Sequence, residues 1–504
     1  MFKTKTVLQK LRATTAGLLI ALAATGAIPH AGYAQNSGEV ETKQYDDGSI
    51  YEGTFQDGKQ HGTGTYRLPN GYEYSGEWVA GEINGQGVAI FPNGNRYTGS
   101  FVKGKPEGFG KIEFTEGGSY EGDWVDAKIE GNGIRIYANA VQYEGEFRNG
   151  LQHGVGTLKS PNGYVYQGEW DNGEKAGTGT ITYPDKSVYE GSLLKGMRDG
   201  QGTLTMSDGT TYVGDWRGGN FNGQGKLTLP NGDIYIGSFV DSKRHGTGKV
   251  EYINGDHYEG GFHEDTRHGQ GSYISTEGHH YVGGWVEGRM EGTGESTYPD
   301  GSVYAGQLKD NLPDGIGKIT YPDGGTYEGS WVSGLTEGMG LAHYANGIVY
   351  EGEFLDAKFH GQGKSIEPNG HQYVGGWRNG QRHGSGTETY EDGGVYTGDF
   401  VNGLRHGQGD MVMPDGFKYS GGWRAGKFNG TGTASYVNGD IYEGKFVDSR
   451  RQGQGTMRYA SGDVSIGIWA DGVLAPSEVP AAAAEGPAPT DGDGVIAPDA
   501  TATD

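Results

Sequence analysis

The sequence predicts an all-β protein, an elongated single-layer antiparallel sheet of tandem 23-residue hairpins, on three observations. Tyrosine recurs every 23 residues from Tyr51 to Tyr442, eighteen times without insertion or deletion. One hundred of 504 residues are glycine and only 33% are hydrophobic, against roughly 7% glycine in ordinary globular chains, so something other than one large core must organise the chain. All nine tryptophans fall in one slot of the repeat, four residues after the tyrosine: Trp78, Trp124, Trp170, Trp216, Trp285, Trp331, Trp377, Trp423 and Trp469.

Each element of the unit follows from these positions. Tyr51-x-Gly53-x-Phe55, Tyr74-x-Gly76-x-Trp78, Tyr143-x-Gly145-x-Phe147, Tyr350-x-Gly352-x-Phe354 and Tyr442-x-Gly444-x-Phe446 place an aromatic, a glycine and a bulky ring two residues apart, hence on one face of a first strand. The intervening residues, such as Glu73 and Ser75, face water. A Gly-x-Gly pair follows in all eighteen full units, as at Gly62 and Gly64 or Gly154 and Gly156, and alternation resumes after it in a second strand, as at Tyr66 and Leu68. Glycine weakens a strand unless something needs the space. Here both glycines of the pair are expected to lie under a Tyr or Trp ring of a neighbouring strand, ring and bare backbone being two halves of one contact.

Two turns close the hairpins. One follows the bulky slot, as in Val79-Ala80-Gly81-Glu82-Ile83; the other joins units through Pro69-Asn70-Gly71 or Pro299-Asp300-Gly301, where Asn-Gly and Asp-Gly are expected to supply positive φ. At about 4.8 Å between strands, a hairpin advances the sheet by roughly 9.6 Å and eighteen span on the order of 170 Å. The bulky slot alternates Phe or Leu with Trp, slipping once at Phe239 and Phe262, which points to growth by duplication of pairs.

Units such as Tyr143-Glu144-Gly145-Glu146-Phe147-Arg148-Asn149-Gly150-Leu151-Gln152-His153-Gly154-Val155-Gly156 resemble the MORN repeat, the membrane occupation and recognition nexus motif, and the resemblance covers residues 45–470. It implies a sheet of hairpins that acts in assembly, partner binding, dimerisation or phospholipid contact. A catalytic domain that accompanies such repeats in some enzymes has no counterpart in this sequence, so the expectation is a non-catalytic protein.

The flanks are read separately. Residues 1–34 carry Lys3, Lys5, Lys10 and Arg12, an apolar run from Ala16 to Ile28 and small residues through Ala34, the pattern of an export signal, with an uncleaved anchor as the alternative. Residues 35–44 read as a short linker. Residues 471–504, rich in Pro, Ala and acidic side chains, read as a disordered tail. An exported chain, periplasmic or at the cell surface, is the expectation.

Chemistry is then tested slot by slot. His61, His153, His245, His268, His360, His383 and His406 precede Gly-x-Gly, but neighbouring units would hold them about 10 Å apart, too far to share zinc. Asn84, Glu107, Asp199 and Asp314 fill the same slot, so a turn residue bonding to backbone is the plainer reading and no metal is expected. Glu52, Glu144, Glu259, Glu328 and Glu351 read as a solvated acidic face rather than acid–base pairs. No Gly-x-Gly has the helix after a strand that a phosphate loop requires, and cysteine is absent. No catalytic residue or cofactor is expected. Without residues 1–34 the chain has 36 basic against 64 acidic side chains, a formal charge of −28 that disfavours nucleic acid and anionic lipid. The expected function is an interaction scaffold with a protein partner, a homodimer included; glycan or cell-wall binding through regularly spaced rings, or peripheral membrane contact, is the alternative.

Overall fold

The computed structural model describes residues 38–476; the expected export signal, and the expected disordered tail from residue 477 on, lie outside them. Among the described residues every regular element is a β-strand. They form two compact units, dividing between Pro184 and Asp185. The first runs from the strand Glu41–Gln44 to Glu174–Thr182, the second from Val188–Leu194 to Val473–Leu474. Within each, strands pair antiparallel with their chain neighbours, hairpin after hairpin, as anticipated. Strands extend past the predicted boundaries at both ends. Glu41–Gln44, placed in the linker, pairs with Ile50–Gly53, and Val473–Leu474, placed in the tail, pairs with Trp469–Ala470.

The face assignment holds. In the first unit Tyr51, Tyr74, Tyr97, Tyr120, Tyr143 and Tyr166 have no exposed surface, and Trp78, Trp124 and Trp170 are buried beside them, while Glu52 and Glu144 on the opposite face are exposed. Each buried ring removes roughly 150–250 Å² from water, which is how a chain poor in aliphatic residues stabilises a sheet.

The two glycines of each Gly-x-Gly do different work, against the expectation that both underlie rings. Register runs Gly53↔Gly64, then jumps to Phe55↔Gln60, so the second strand carries extra residues at a bulge. The first glycine of the pair sits in that bulge at positive φ, +80° at Gly62 and +59° at Gly154. Only the second lies under a ring, and the ring is the tyrosine of its own hairpin: Gly64 and its cross-strand partner Gly53 are both covered by Tyr51.

The turns also divide their labour otherwise than expected. The turn after the bulky slot is the tight one, with positive φ at both central residues, +55° at Ala80 and +96° at Gly81. In the turn between units only the glycine has positive φ, +90° at Gly71. The Asn or Asp before it serves as an acceptor: Asn70 Oδ1 takes the Tyr72 N–H at 3.0 Å and Asn162 Oδ1 the Tyr164 N–H at 3.0 Å. Two turns lack that glycine and hold Ala140 at +61° and Lys186 at +75°.

Candidate functional site: the ring face

The tyrosine slot locks each hairpin from within. Tyr51 Oη donates to the Thr54 carbonyl at 3.0 Å, Tyr97 to Ser100 at 3.1 Å and Tyr350 to Glu353 at 2.9 Å, so a fully buried hydroxyl stays satisfied. A Cβ on Gly53 would lie 2.5 Å from the Tyr51 hydroxyl, so any side chain would push the ring away. The next unit closes over Gly64, the cross-strand partner of Gly53. Trp78 Nε1 donates to the Gly64 carbonyl at 3.2 Å, and Trp124 to Gly110 at 3.1 Å.

The rings then run in a zigzag of edge-to-face contacts. Tyr51 meets Phe55 at 5.1 Å and Trp78 at 5.1 Å, Tyr74 meets Trp78 at 5.7 Å and Phe101 at 4.9 Å, and Tyr143 meets Phe147 at 4.9 Å and Trp170 at 5.2 Å. In the second unit Tyr350 meets Phe354 at 5.0 Å, and Tyr442 meets Phe446 at 5.1 Å and Trp469 at 5.3 Å. The predicted repeat residues are thus brought together, as the spine of the sheet. Burial pushes the phenols of Tyr51 and Tyr97 up to about 12. They are packing groups, held neutral.

The chemistry on top of this spine lies in a slot that the sequence reading passed over, nine residues after the tyrosine. Six arginines and one lysine occupy it, Lys175, Arg198, Arg244, Arg267, Arg382, Arg405 and Arg451, and no carboxylate does. The guanidinium carbons of Arg198, Arg267, Arg405 and Arg451 stand 4.2, 4.3, 4.5 and 4.5 Å from the ring centroids of Trp216, Trp285, Trp423 and Trp469. Several also reach the next hairpin's turn: Arg198 Nη2 donates to the Gly219 carbonyl at 2.7 Å and Arg451 Nη2 to Gly472 at 2.6 Å. Among the described residues those four arginines have no carboxylate partner, whereas Arg244 is paired with Asp265 and Arg382 with Glu388. Charge is therefore polarised: an acidic chain carries a row of cations on its ring face. The 23-residue recurrence of Arg was the signal that could have revealed it.

Polar residues replace the apolar ones opposite the tyrosines at Arg135, Ser296, Ser365 and Glu388, and the last is a buried carboxylate. Glu388 faces Tyr373 across the ladder and is only 5% exposed. It accepts from Tyr390 Oη at 2.6 Å, from His371 Nε2 at 3.0 Å and from Arg382, while His371 Nδ1 lies 3.0 Å from Glu367. Burial alone would raise its carboxyl; the bonds from Tyr390, Arg382 and His371 outweigh that and hold it below the usual range. A surface hollow beside it is lined by Asn369, His371, Tyr390, Glu391 and Asp392. The carboxylates read as a solvated face, Glu52, Glu144, Glu259, Glu328 and Glu351, are all exposed; Glu388 is a buried carboxylate outside that set.

In the histidine slot, His61 and His406 act as acceptors for the turn of the following unit, whereas Nδ1 of His153, His360 and His383 is buried without a hydrogen-bond partner among the described residues. His61 Nδ1 takes the Ala80 N–H at 3.3 Å, and Asn84, Glu107 and Asp199 take the equivalent N–H of Lys103, Asp126 and Gly218 at 3.1, 2.8 and 3.1 Å. This is why those residue types interchange. The 10 Å separation does not describe the closest set, because His263 stands between His245 and His268 with ring centroids at 5.1 and 5.6 Å. No group of metal-ligating side chains with suitable geometry occurs among the described residues.

No described helix is long and apolar enough to cross a membrane. Comparison with solved structures finds likeness to the TCP10 domain of Danio rerio CPAP in complex with a peptide of Danio rerio STIL, at 16% identity over 54% of this chain and 93% of that one, TM-score 0.21. The TCP domain of SAS-4 from Drosophila melanogaster matches at 16% identity over 43% and 99%, TM-score 0.18. Virginiamycin B lyase from Staphylococcus aureus matches at 12% over 66% and 92%, TM-score 0.10. At TM-scores this low the likeness implies no shared activity. No curated protein matches the chain. The model of the MORN repeat matches eighteen times in one register, from residues 51–71 to residues 442–464. The chain belongs to the MORN repeat family, a repeat scaffold for protein or membrane interaction.

Proposed function

We propose that this protein is a non-catalytic, exported scaffold that gathers protein partners along its ring face, in the periplasm or at the cell surface. The observation that carries the reading is the repetition of one ring-lined surface from hairpin to hairpin, with a guanidinium stacked over tryptophan at four of them, which offers several equivalent contacts. Unpaired arginines over tryptophan are suited to interfaces, since a stacked guanidinium is preorganised and still has N–H groups to donate. Export is supported by the basic and apolar pattern of residues 1–34.

Photo-crosslinkers placed at Gln60, Arg267 and Arg405 on the ring face, and at Glu52, Glu259 and Glu351 on the other, test this in intact cells. Discrete protein adducts from the ring-face positions support it. Adducts from the opposite face only, or glycan and lipid adducts in place of protein, would overturn it. Fractionation of the tagged full chain tests export separately.

A further inference from the structure

The four unpaired ring-face arginines pose a question of charge. A chain of net charge −24 leaves Arg198, Arg267, Arg405 and Arg451 without carboxylates among its described residues. Elsewhere the same slot finds one, as Arg244 and Arg382 show. Two of the four lie near the place where the chain leaves the sheet. Leu474 packs on the cluster built from Tyr396, Trp423, Tyr442 and Trp469, and the Ala475 N–H donates to Ile468 at 2.8 Å. Beside it a hollow of about 640 Å³ is lined by Tyr436, Asp440, Arg450, Arg451, Met457 and Gly472. Its other charges are engaged: Arg450 with Asp471, and Asp440 with the Ala460 N–H and the Asn438 amide. Arg451, which donates to the Gly472 carbonyl, is the cation of this hollow without a carboxylate partner among the described residues, and Arg405 stands two hairpins farther along the face.

The sequence beyond Pro476 has the complementary charge. Residues 477–504 contain Glu478, Glu485, Asp491, Asp493, Asp499 and Asp504 and no Lys or Arg. From Pro476 to Asp491 an extended chain reaches up to about 50 Å, while two hairpins advance the sheet by only about 19 Å. Tethering a few residues from the hollow also gives these carboxylates an effective concentration of roughly millimolar order there.

We propose that the acidic segment 477–504 docks on the arginine row of its own sheet, its carboxylates pairing with Arg451 and Arg405, and so competes with anionic partners for the ring face. The competition rests on the reading of that face as the partner surface; the docking does not.

The chain has no cysteine, so a single probe can be placed cleanly. A nitroxide on Thr490→Cys of the full chain, with ¹⁵N-tryptophan, reports proximity at the indole N–H groups. Broadening of Trp423 and Trp469 but not Trp285, reversed at high salt, is expected. It should be lost in Arg405→Gln/Arg451→Gln and retained in Arg405→Lys/Arg451→Lys, which keeps the charges. No broadening at low salt, equal broadening in the Gln variant, or broadening that appears when spin-labelled ¹⁴N chain is mixed with unlabelled ¹⁵N chain would overturn the docking. Converting the six acidic residues of 477–504 to Asn and Gln should tighten binding of a poly-glutamate probe by ~10-fold, as removal of a tethered competitor does; unchanged affinity would overturn the competition. Partner adducts on the ring face without tryptophan broadening would remove this inference alone. Broadening with adducts confined to the other face would remove the partner reading and leave the docking.

Discussion

Gly156→Ala isolates the contact on which every hairpin depends. A Cβ there would lie 2.5 Å from Tyr143 Cζ, with the Gly145 Cα directly across the strand pair, so the ring and not the backbone must give way. Moving the ring forfeits the bond from Tyr143 Oη to Glu146 O at 2.9 Å and the edge-to-face pairs with Phe147 and Trp170 at 4.9 and 5.2 Å. A net hydrogen bond of about 1 kcal/mol, two ring pairs of about 1 kcal/mol each and overpacking strain of about 1–3 kcal/mol give a cost of about 4–6 kcal/mol. Because strands pair only with chain neighbours, the loss should be local. Hydrogen exchange in peptides covering residues 143–170 should accelerate by about a thousandfold or more, at 1.4 kcal/mol per decade, while distant hairpins keep their protection. Gly154→Ala, two residues away, meets a side-chain carboxylate, that of Glu146, and a φ of +59°, and should cost about 1–2 kcal/mol. In a Tyr143→Leu background the Gly156→Ala penalty should mostly vanish. A cost under about 1 kcal/mol, or an equal cost in that background, refutes the ring-over-glycine account.

Three further outcomes follow from the same geometry. Ala140→Gly and Lys186→Gly relieve left-handed backbone at +61° and +75°, and each should raise stability by about 1 kcal/mol in urea titrations; no gain would mean that these turns carry no strain. Burial lifts Tyr97, Tyr212, Tyr281 and Tyr304 to about 12 against 10 when unfolded, so their stabilisation is complete below pH 10 and lost as pH rises through 12. Phenolate formation at these four tyrosines, read residue by residue with selective isotope labels, and loss of sheet circular dichroism should therefore appear together in that interval; any of the four ionising near pH 10 with the sheet intact contradicts it. Glu388 has a depressed carboxyl, so its contribution is present above 4.5 and disappears as pH falls through the lowered value. Glu388→Gln should cost about 1–3 kcal/mol at neutral pH and flatten the acid side of the stability profile, measured by hydrogen exchange in residues 372–400.

The 23-residue period determined most of the fold without help. Two-residue spacing of Tyr51, Gly53 and Phe55 set the buried face, and the turn residues set the hairpins, because strand geometry makes alternation a local property. Tertiary structure decided what local spacing cannot express. Which glycine of a pair lies under a ring and which forms a bulge depends on cross-strand register, and both are simply glycine in the sequence. Arg405 and Trp423, eighteen residues apart, meet because the second strand of one hairpin lies against the first strand of the next. Arg382 and Glu388 share the strand Gln381–Thr389, and His371, just before the strand Gln372–Arg378, joins them only when those two strands pair. The spine was written in the period, since it recurs in every unit; the charges laid over it came from neighbours that only the folded sheet supplies.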